Sequence, residues 1–330
     1  MNLDAPQRAI GVTQLPASAG PVTVFYPAEA TAPEARPGPA PIDAMTDAVS
    51  NAALAPGNRR LIAISHGSGG SPSNFADLTR VFVAHGFTVA LPEHAGDNWH
   101  SLRAAGPASW KRRPREVTQA IDAVAADARL APLLDCQRVG VFGLSAGGLT
   151  ALTLAGARWS PAQWARHCDA HIAEDFPGCV GLITELTGGW LDPLRIGIAR
   201  RMIRWKFGGD AAWQSWTDPR IRAAVAAVPL VTPIDMASLA RPEIPLGLVR
   251  AGRDAWLTPR WHADALRAAC KSCVLVADMP QGGHGSLISP QPEGLSARAQ
   301  RLLGDPPGFD RASLPAVYEA IARFFIENLA

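Results

Sequence analysis

The sequence predicts an α/β protein: a mostly parallel central sheet with helices on both faces and an inserted cap. Two observations carry this. Short, continuously apolar, β-rich runs alternate with helical ones along most of the chain, and strands buried on both faces are what a parallel sheet covered by crossover helices requires. The alternation breaks once, over residues 157–217, a stretch too long for a plain strand-to-helix connection.

The elements follow in order. "VTVFY" (22–26) reads as an early strand, and the Pro/Ala-rich residues 27–59, with little periodicity, as a long surface loop. Next come a strand "RLIAIS", a helix "NFADLTRVFVAHG" ending on Gly86, and a strand "FTVAL". The helix "REVTQAIDAVAADARL" sets Val117, Ile121, Val124 and Ala128 on one stripe, and the strand "RVGVFG" follows it. Residues 1–156 thus form the first part of the core. The segment 157–217 holds Trp159, Trp164, Trp190, Trp205, Trp213 and Trp216 and reads as a cap over the site, or else as thickening of the core, since Trp more often packs than binds. Residues 218–330 complete the core with the strands "AAVAAV", "LGLVRA" and "CVLVA" and a closing amphipathic helix, "LPAVYEAIARFFIENL".

Composition narrows the function. A chain of 330 residues, 48% hydrophobic and 18% charged with net charge +2, is neither disordered nor basic enough to suggest nucleic acid as a partner. No apolar run approaches the roughly 20 residues that span a bilayer. The start "MNLDAPQRAI" has no charged region followed by an apolar one, so no signal peptide is expected there. A cytoplasmic, periplasmic or secreted setting all stay open, as does the oligomeric state.

Cys136, Cys168, Cys179, Cys270 and Cys273 are an odd set, so at least one is unpaired within the chain. Cys270 and Cys273 spell C-x-x-C where a helix ends, whereas redox pairs favour a helix N-terminus. Zinc requires four convergent ligands, and no such set is spaced in the sequence, so no metal is expected. Cys168 and Cys179 are spaced to close a short loop. Whether either pair is a disulfide is left open.

The chemistry centres on Gly143-Leu144-Ser145-Ala146-Gly147, where a strand hands over to a helix. G-x-S-x-G in that setting is a nucleophile elbow: the sharp turn lifts the serine hydroxyl above the sheet edge and aims a helix N-terminus at the reacting oxygen. A serine needs a base to take its proton and an acid to hold that base. In the chain order serine, acid, histidine, "LGLVRAGRDAWLTP" places Asp254 past one later strand and "CVLVADMPQGGHGSL" places His284 past the next. The oxyanion hole needs two backbone donors. One is the Ala146 N–H; the other is assigned to the Ser68 N–H, in the glycine-rich loop "SHGSGGSPSNF". That loop lacks the lysine of a phosphate cradle.

These stretches resemble the α/β-hydrolases, and more narrowly the bacterial predicted dienelactone hydrolases that are similar to platelet-activating-factor acetylhydrolases. The likeness rests on "SHGSGGSPSNFADLTRVFVAHGFTVALPEHAGDN", "GVFGLSAGG", "DPRIRAAVAAVP", "AGRDAWLTP" and "GGHGSL". It implies an α/β-hydrolase fold and hydrolysis of small carboxylic esters, often short-acyl, without metal or cofactor. Dienelactone hydrolases proper carry a cysteine at the elbow. Here Ser145 stands in that place, so serine esterase chemistry rather than lactone specificity is implied.

Trp256, His94, Trp190 and Trp205 are candidate substrate-lining residues. His94, with Asp97, is read either on the rim of the site or in local loop bonding. In "PLRIGIARRMIRWKF", Leu194, Ile198, Met202 and Trp205 recur at helical spacing. The favoured reading is a lid that packs this stripe over Ser145; a helix lying on an anionic lipid surface is the alternative. Thioester, lipid or polyester cleavage uses the same machinery, and a silent hydrolase-fold binding module is the non-enzymatic alternative.

Overall fold

In the computed structural model of the protein, residues 9–29, 47–292 and 294–330 are described. Much of the expected Pro/Ala-rich loop lies outside them. Its ends are partly ordered as sheet: Pro27 and Ala28 finish a strand, and Val49–Ser50 forms another.

The strands are β1 (Ala9–Leu15), β2 (Val22–Ala28), β3 (Val49–Ser50), β4 (Leu61–Ser65), β5 (Thr88–Pro92), β6 (Val139–Leu144), β7 (Ile221–Ala227), β8 (Leu246–Ala251) and β9 (Val274–Met279). They form one sheet in the order β3-β1-β2-β5-β4-β6-β7-β8-β9. From β5 to β9 every pair is parallel, while β2 runs antiparallel to both β1 and β5. The expectation of a mostly parallel sheet holds, and β1 and β3 are additions at its edge. β1 was unread because "AIGVTQL" mixes apolar and polar residues without a clear period.

The helices are α1 (Ala76–Ala84), α2 (Pro107–Ala126), α3 (Ala146–Leu154), α4 (Pro161–His171), α5 (Phe176–Val180), α6 (Asp192–Phe207), α7 (Ala263–Ala269), α8 (Ala297–Leu303) and α9 (Leu314–Asn328). Residues Leu78, Phe82, Ile321 and Phe325 of α1 and α9 cover one face of the sheet. Val117, Ile121, Leu149 and Leu152 of α2 and α3 cover the other. Every residue of β4, β5 and β6 is buried, which explains their unbroken apolar runs. Helix α2 starts well before the expected "REVTQ" because it runs through Pro114. Ala128, expected on its apolar stripe, lies past its end and is exposed.

The segment 157–217 carries α4, α5 and α6. Trp159 and Trp164 pack edge-to-face on Trp110 of α2, 5.8 and 5.5 Å between ring centroids, so part of this segment does thicken the core. Disulfides join Cys168 to Cys179 and Cys270 to Cys273; Cys136 is free. No described helix is long and apolar enough to cross a membrane.

Candidate active site

The order of strands sets up the site. β4 connects through α1 to β5 on one side, and the chain then returns through α2 to β6 on the other. The loops after β4 and β6 therefore leave neighbouring strands side by side, at the switch point where open α/β sheets form their crevices. Ser65 pairs with Gly143 in register. Gly67 and Ser145 each follow two residues later, and a Cβ on Gly67 would stand 3.4 Å from the Ser145 Cβ.

Ser145 has φ 60° and ψ −115°, a conformation that non-glycine residues rarely adopt. Backbone bonds hold it there: its N–H donates to Ala227 O (3.0 Å), and its C=O accepts from Leu149 N (3.2 Å) and Leu230 N (3.1 Å). The flanking glycines are needed for close approach. A Cβ on Gly147 would fall 1.9 Å from Ser65 O, and one on Gly143 1.9 Å from Gly147 O.

Ser145 Oγ lies 2.9 Å from His284 Nε2, and His284 Nδ1 lies 2.7 Å from Asp254 Oδ2. The carboxylate can only accept, so Nδ1 carries the proton and Nε2 is free to accept from the serine. The other oxygen, Asp254 Oδ1, accepts the N–H groups of Trp256 (2.9 Å) and Leu257 (2.7 Å). The loops bearing Asp254 and His284 are tied together by Arg253 N–H to Gly282 O, 2.8 Å. His284 and Asp254 are buried while Ser145 is half-buried. The three residues read from chain order thus come together in one hydrogen-bonded line. Asp278, another carboxylate near the His284 loop, instead pairs with Arg250 at 3.0 Å.

Ala146 opens α3 directly after Ser145. Ser68 Oγ donates to Asp97 Oδ1 at 2.5 Å, as does Gly69 N–H at 3.2 Å. Asp97 is fully buried. Burial pushes its carboxyl up, but the Arg113 guanidinium and hydrogen bonds from Ser68, Ser109 and Arg113 outweigh this and hold it at about 2.

One of the proposed lining residues, His94, is corrected. His94 is 0% exposed, with Nδ1 2.7 Å from Glu116 Oε2 and Nε2 2.8 Å from Ser65 Oγ. It serves the loop's interior, not the rim. Trp190 and Trp205 are 87% and 84% exposed. The stripe Leu194, Ile198, Met202 and Trp205 faces water, while Ile203 is buried and Ile196, Ala199 and Phe207 pack on the core. Both faces of α6 carry apolar residues, so spacing alone did not tell which one packs. Trp256 does reach the site: its ring centroid lies 5.3 Å from that of His284.

Arg113, Glu116 and His66 were missed. Their signal was present, since Arg113 lies on the stripe of Val117 and Ile121 and so points at the sheet. Among the described residues one group has metal-ligand proximity, His167, Asp175 and Cys179. The Cys179 sulfur is committed to its disulfide. Asp175 Oδ2 is occupied by His167 Nε2 (2.9 Å) and His262 Nε2 (3.2 Å), which leaves a hydrogen-bonded bridge rather than a ligand set.

No family model and no curated protein matches the chain. Among solved structures, a ferulic acid esterase from Streptomyces cinnamoneus is similar over 98% of this chain and 91% of that chain, with TM-score 0.59 and 18% identity. A Klebsiella pneumoniae protein described as a "Putative Dienelactone Hydrolase" is similar over 96% of this chain and 98% of that one, with TM-score 0.47 and 13% identity. The first likeness, together with the strand order above, defines the architecture: the chain has the α/β-hydrolase fold.

Proposed function

We propose that the protein is a serine hydrolase of carboxylic esters. The observation that carries this is the line Asp254–His284–Ser145, at 2.7 and 2.9 Å, ending on a serine held at φ 60° between a strand and a helix N-terminus. His284 takes the Ser145 proton as Oγ attacks the ester carbonyl, and the oxyanion rests on the Ala146 and Ser68 N–H groups. His284 then protonates the leaving alcohol. Water, activated by the same histidine, releases the acid. Asp254 holds the productive tautomer and favours the imidazolium. Trp256 lines the acyl or aromatic side of the site, and residues 157–217 border its mouth as a cap. Every step uses side chains and backbone of this chain.

The test is Ser145→Ala in a fluorophosphonate-labelling and ester-turnover assay, with short-acyl, long-acyl and hydroxycinnamoyl esters such as ferulates. Labelling should vanish and turnover fall at least about 10³-fold. Near-parent turnover by a preparation cleared of contaminating esterases overturns the assignment, and a folded parent protein that never reacts with the probe supports a binding module instead.

One observation favours a second reading of the substrate. The outward stripe of α6 is exposed at Leu194 (59%), Ile198 (52%), Met202 (60%) and Trp205 (84%), beside Arg200, Arg201, Arg204 and Lys206. An apolar face edged by cations suits an anionic lipid surface, and with it esters presented in lipid. The lid reading loses its main support, because the stripe it required to be covered is open.

A further inference from the structure

The loop after β4 is gripped from behind by two side chains that donate into its carbonyl groups. His66, 1% exposed, accepts the His94 N–H on Nε2 at 3.2 Å. Its proton is therefore on Nδ1, and Nδ1–H donates to Gly67 O at 2.7 Å. Burial, reinforced by His94 and Arg113, holds its pKa well below the ordinary histidine value, so the ring stays neutral and keeps this tautomer.

Arg113 comes from α2 and is 0% exposed. Its guanidinium donates to His66 O, to Gly67 O at 3.3 Å, to Asp97 O at 3.2 Å and to Asp97 Oδ2 at 2.9 Å, while Nε donates to Ser109 Oγ at 2.8 Å. A buried cation needs a counter-charge, and Asp97 supplies it. Ion pairing alone, though, requires no contact with two successive carbonyls of the loop.

Peptide planarity turns these contacts into chemistry. In a trans peptide the C=O and the following N–H point in opposite directions. Gly67 O, held by His66, by Arg113 and by the Gly70 N–H at 3.1 Å, turns the Ser68 N–H away from these donors, in a loop whose Gly67 lies against Ser145. The Ser68 N–H has no protein acceptor among the described residues. Were this peptide to flip, Gly67 O would present negative charge to the oxyanion, the buried His66 Nδ1–H and the Gly70 N–H would lose their acceptor, and Arg113 would keep only its bonds to His66 O, Ser109 and Asp97.

The geometry points to Arg113, acting with His66, as a positioning residue that fixes the Gly67–Ser68 peptide with its N–H toward the developing oxyanion. It rests on the esterase reading above. Arg113 touches no reacting atom; it acts through the backbone.

Arg113→Lys tests this, because lysine keeps the charge beside Asp97 but cannot span both carbonyls. Losing one oxyanion donor typically costs about 10²–10³ in kcat. The expected result is a kcat lowered about 10²-fold, KM within about threefold of the parent, and an unchanged acid limb of the kcat/KM profile, since Asp254 and His284 are intact. The discriminating readout is a pair of inhibitors on the folded variant. A trifluoromethyl ketone, which forms an oxyanion on Ser145, should lose affinity about 10²-fold, whereas the unreactive methyl ether isostere of the substrate should not. His66→Asn leaves the Arg113–Asp97 pair in place and should give the same selective loss in smaller measure, which keeps the question open to decision if Arg113→Lys does not fold. Equal weakening of both inhibitors, or of neither, overturns the inference while Ser145→Ala still abolishes turnover. Near-parent turnover in Ser145→Ala would instead remove the esterase reading on which it stands.

Discussion

Asp254 uses its two oxygens for two different partners. Oδ2 accepts from His284 Nδ1, and Oδ1 accepts two backbone N–H groups, those of Trp256 and Leu257. An asparagine there has only one oxygen. The two backbone donors demand it, so the amide NH₂ must face His284 and the imidazole must turn its proton onto Nε2, where it can no longer accept from Ser145. Asp254→Asn should therefore keep the fold and lower kcat by about 10³–10⁴. Steady-state kinetics beside an unfolding curve check this. A large loss in Asp278→Asn with none in Asp254→Asn would mean the acid is misassigned, against the engagement of Asp278 with Arg250. Ser145, Asp254 and His284 were all legible, because each follows a strand of recognisable pattern and the strand ends converge. His94 was not. A histidine one loop away from Ser145 reads the same whether it faces solvent or, as here, lies between Ser65 and Glu116.

Helix α6 shows the limit of pattern at the level of an element. Its residues Ile196, Ala199, Ile203 and Phe207 pack inward, and Leu194, Ile198, Met202 and Trp205 point out. Phe207 meets Trp164 of α4 at 5.2 Å between ring centroids, which anchors the inward face. The periodicity marked a helix correctly and its orientation wrongly, since two apolar stripes share one helix. The exposed stripe makes a prediction. The parent protein should sediment with vesicles containing anionic lipid, less so as salt rises, because the cations beside the stripe are screened. Ile198→Ser with Trp205→Ser should reduce that binding about tenfold and leave turnover of a water-soluble short-acyl ester within about twofold. Absence of vesicle binding by the parent, or a changed soluble-ester selectivity in the double variant, would return α6 to service at the site.

At the scale of the whole molecule, two apolar layers enclose the sheet, and a polar network of His66, His94, Asp97, Arg113 and Glu116 is set into one of them beneath the loop after β4. That network couples stability to pH. His66 and His94 are both held well below the ordinary histidine pKa, His66 by burial and then its neighbours His94 and Arg113, His94 by burial and then Arg113. The native state therefore refuses protons that the unfolded chain takes up below about pH 6.5, so stability is full above that pH and is lost as pH falls through it. The slope should approach about 1.4 kcal/mol per pH unit for each histidine. Glu116, raised by burial, acts in the opposite sense and softens the fall. Asp97, held at about 2, adds a further loss only between roughly pH 4 and pH 2, from its unfolded toward its folded value. Urea unfolding at several pH values should show the slope between pH 6 and pH 5 clearly reduced in His94→Gln; an unchanged slope would place the titration elsewhere.

By itself the sequence determined the parallel core, the strand-to-helix turn at Ser145 and the placing of Ser145, Asp254 and His284 at successive strand ends. These are written locally: apolar runs buried on both faces, a serine between obligatory glycines, and polar residues at strand ends that all open onto one edge of the sheet. Only the tertiary structure decided the direction of the α6 stripe, the burial of His94, and the hold of Arg113 on the loop that bears Ser68. The reason is separation along the chain. Arg113 donates to the carbonyl of a residue 47 positions earlier, and such a contact leaves no trace in periodicity or spacing. It exists because the return crossover from β5 to β6 lays α2 behind the loop after β4.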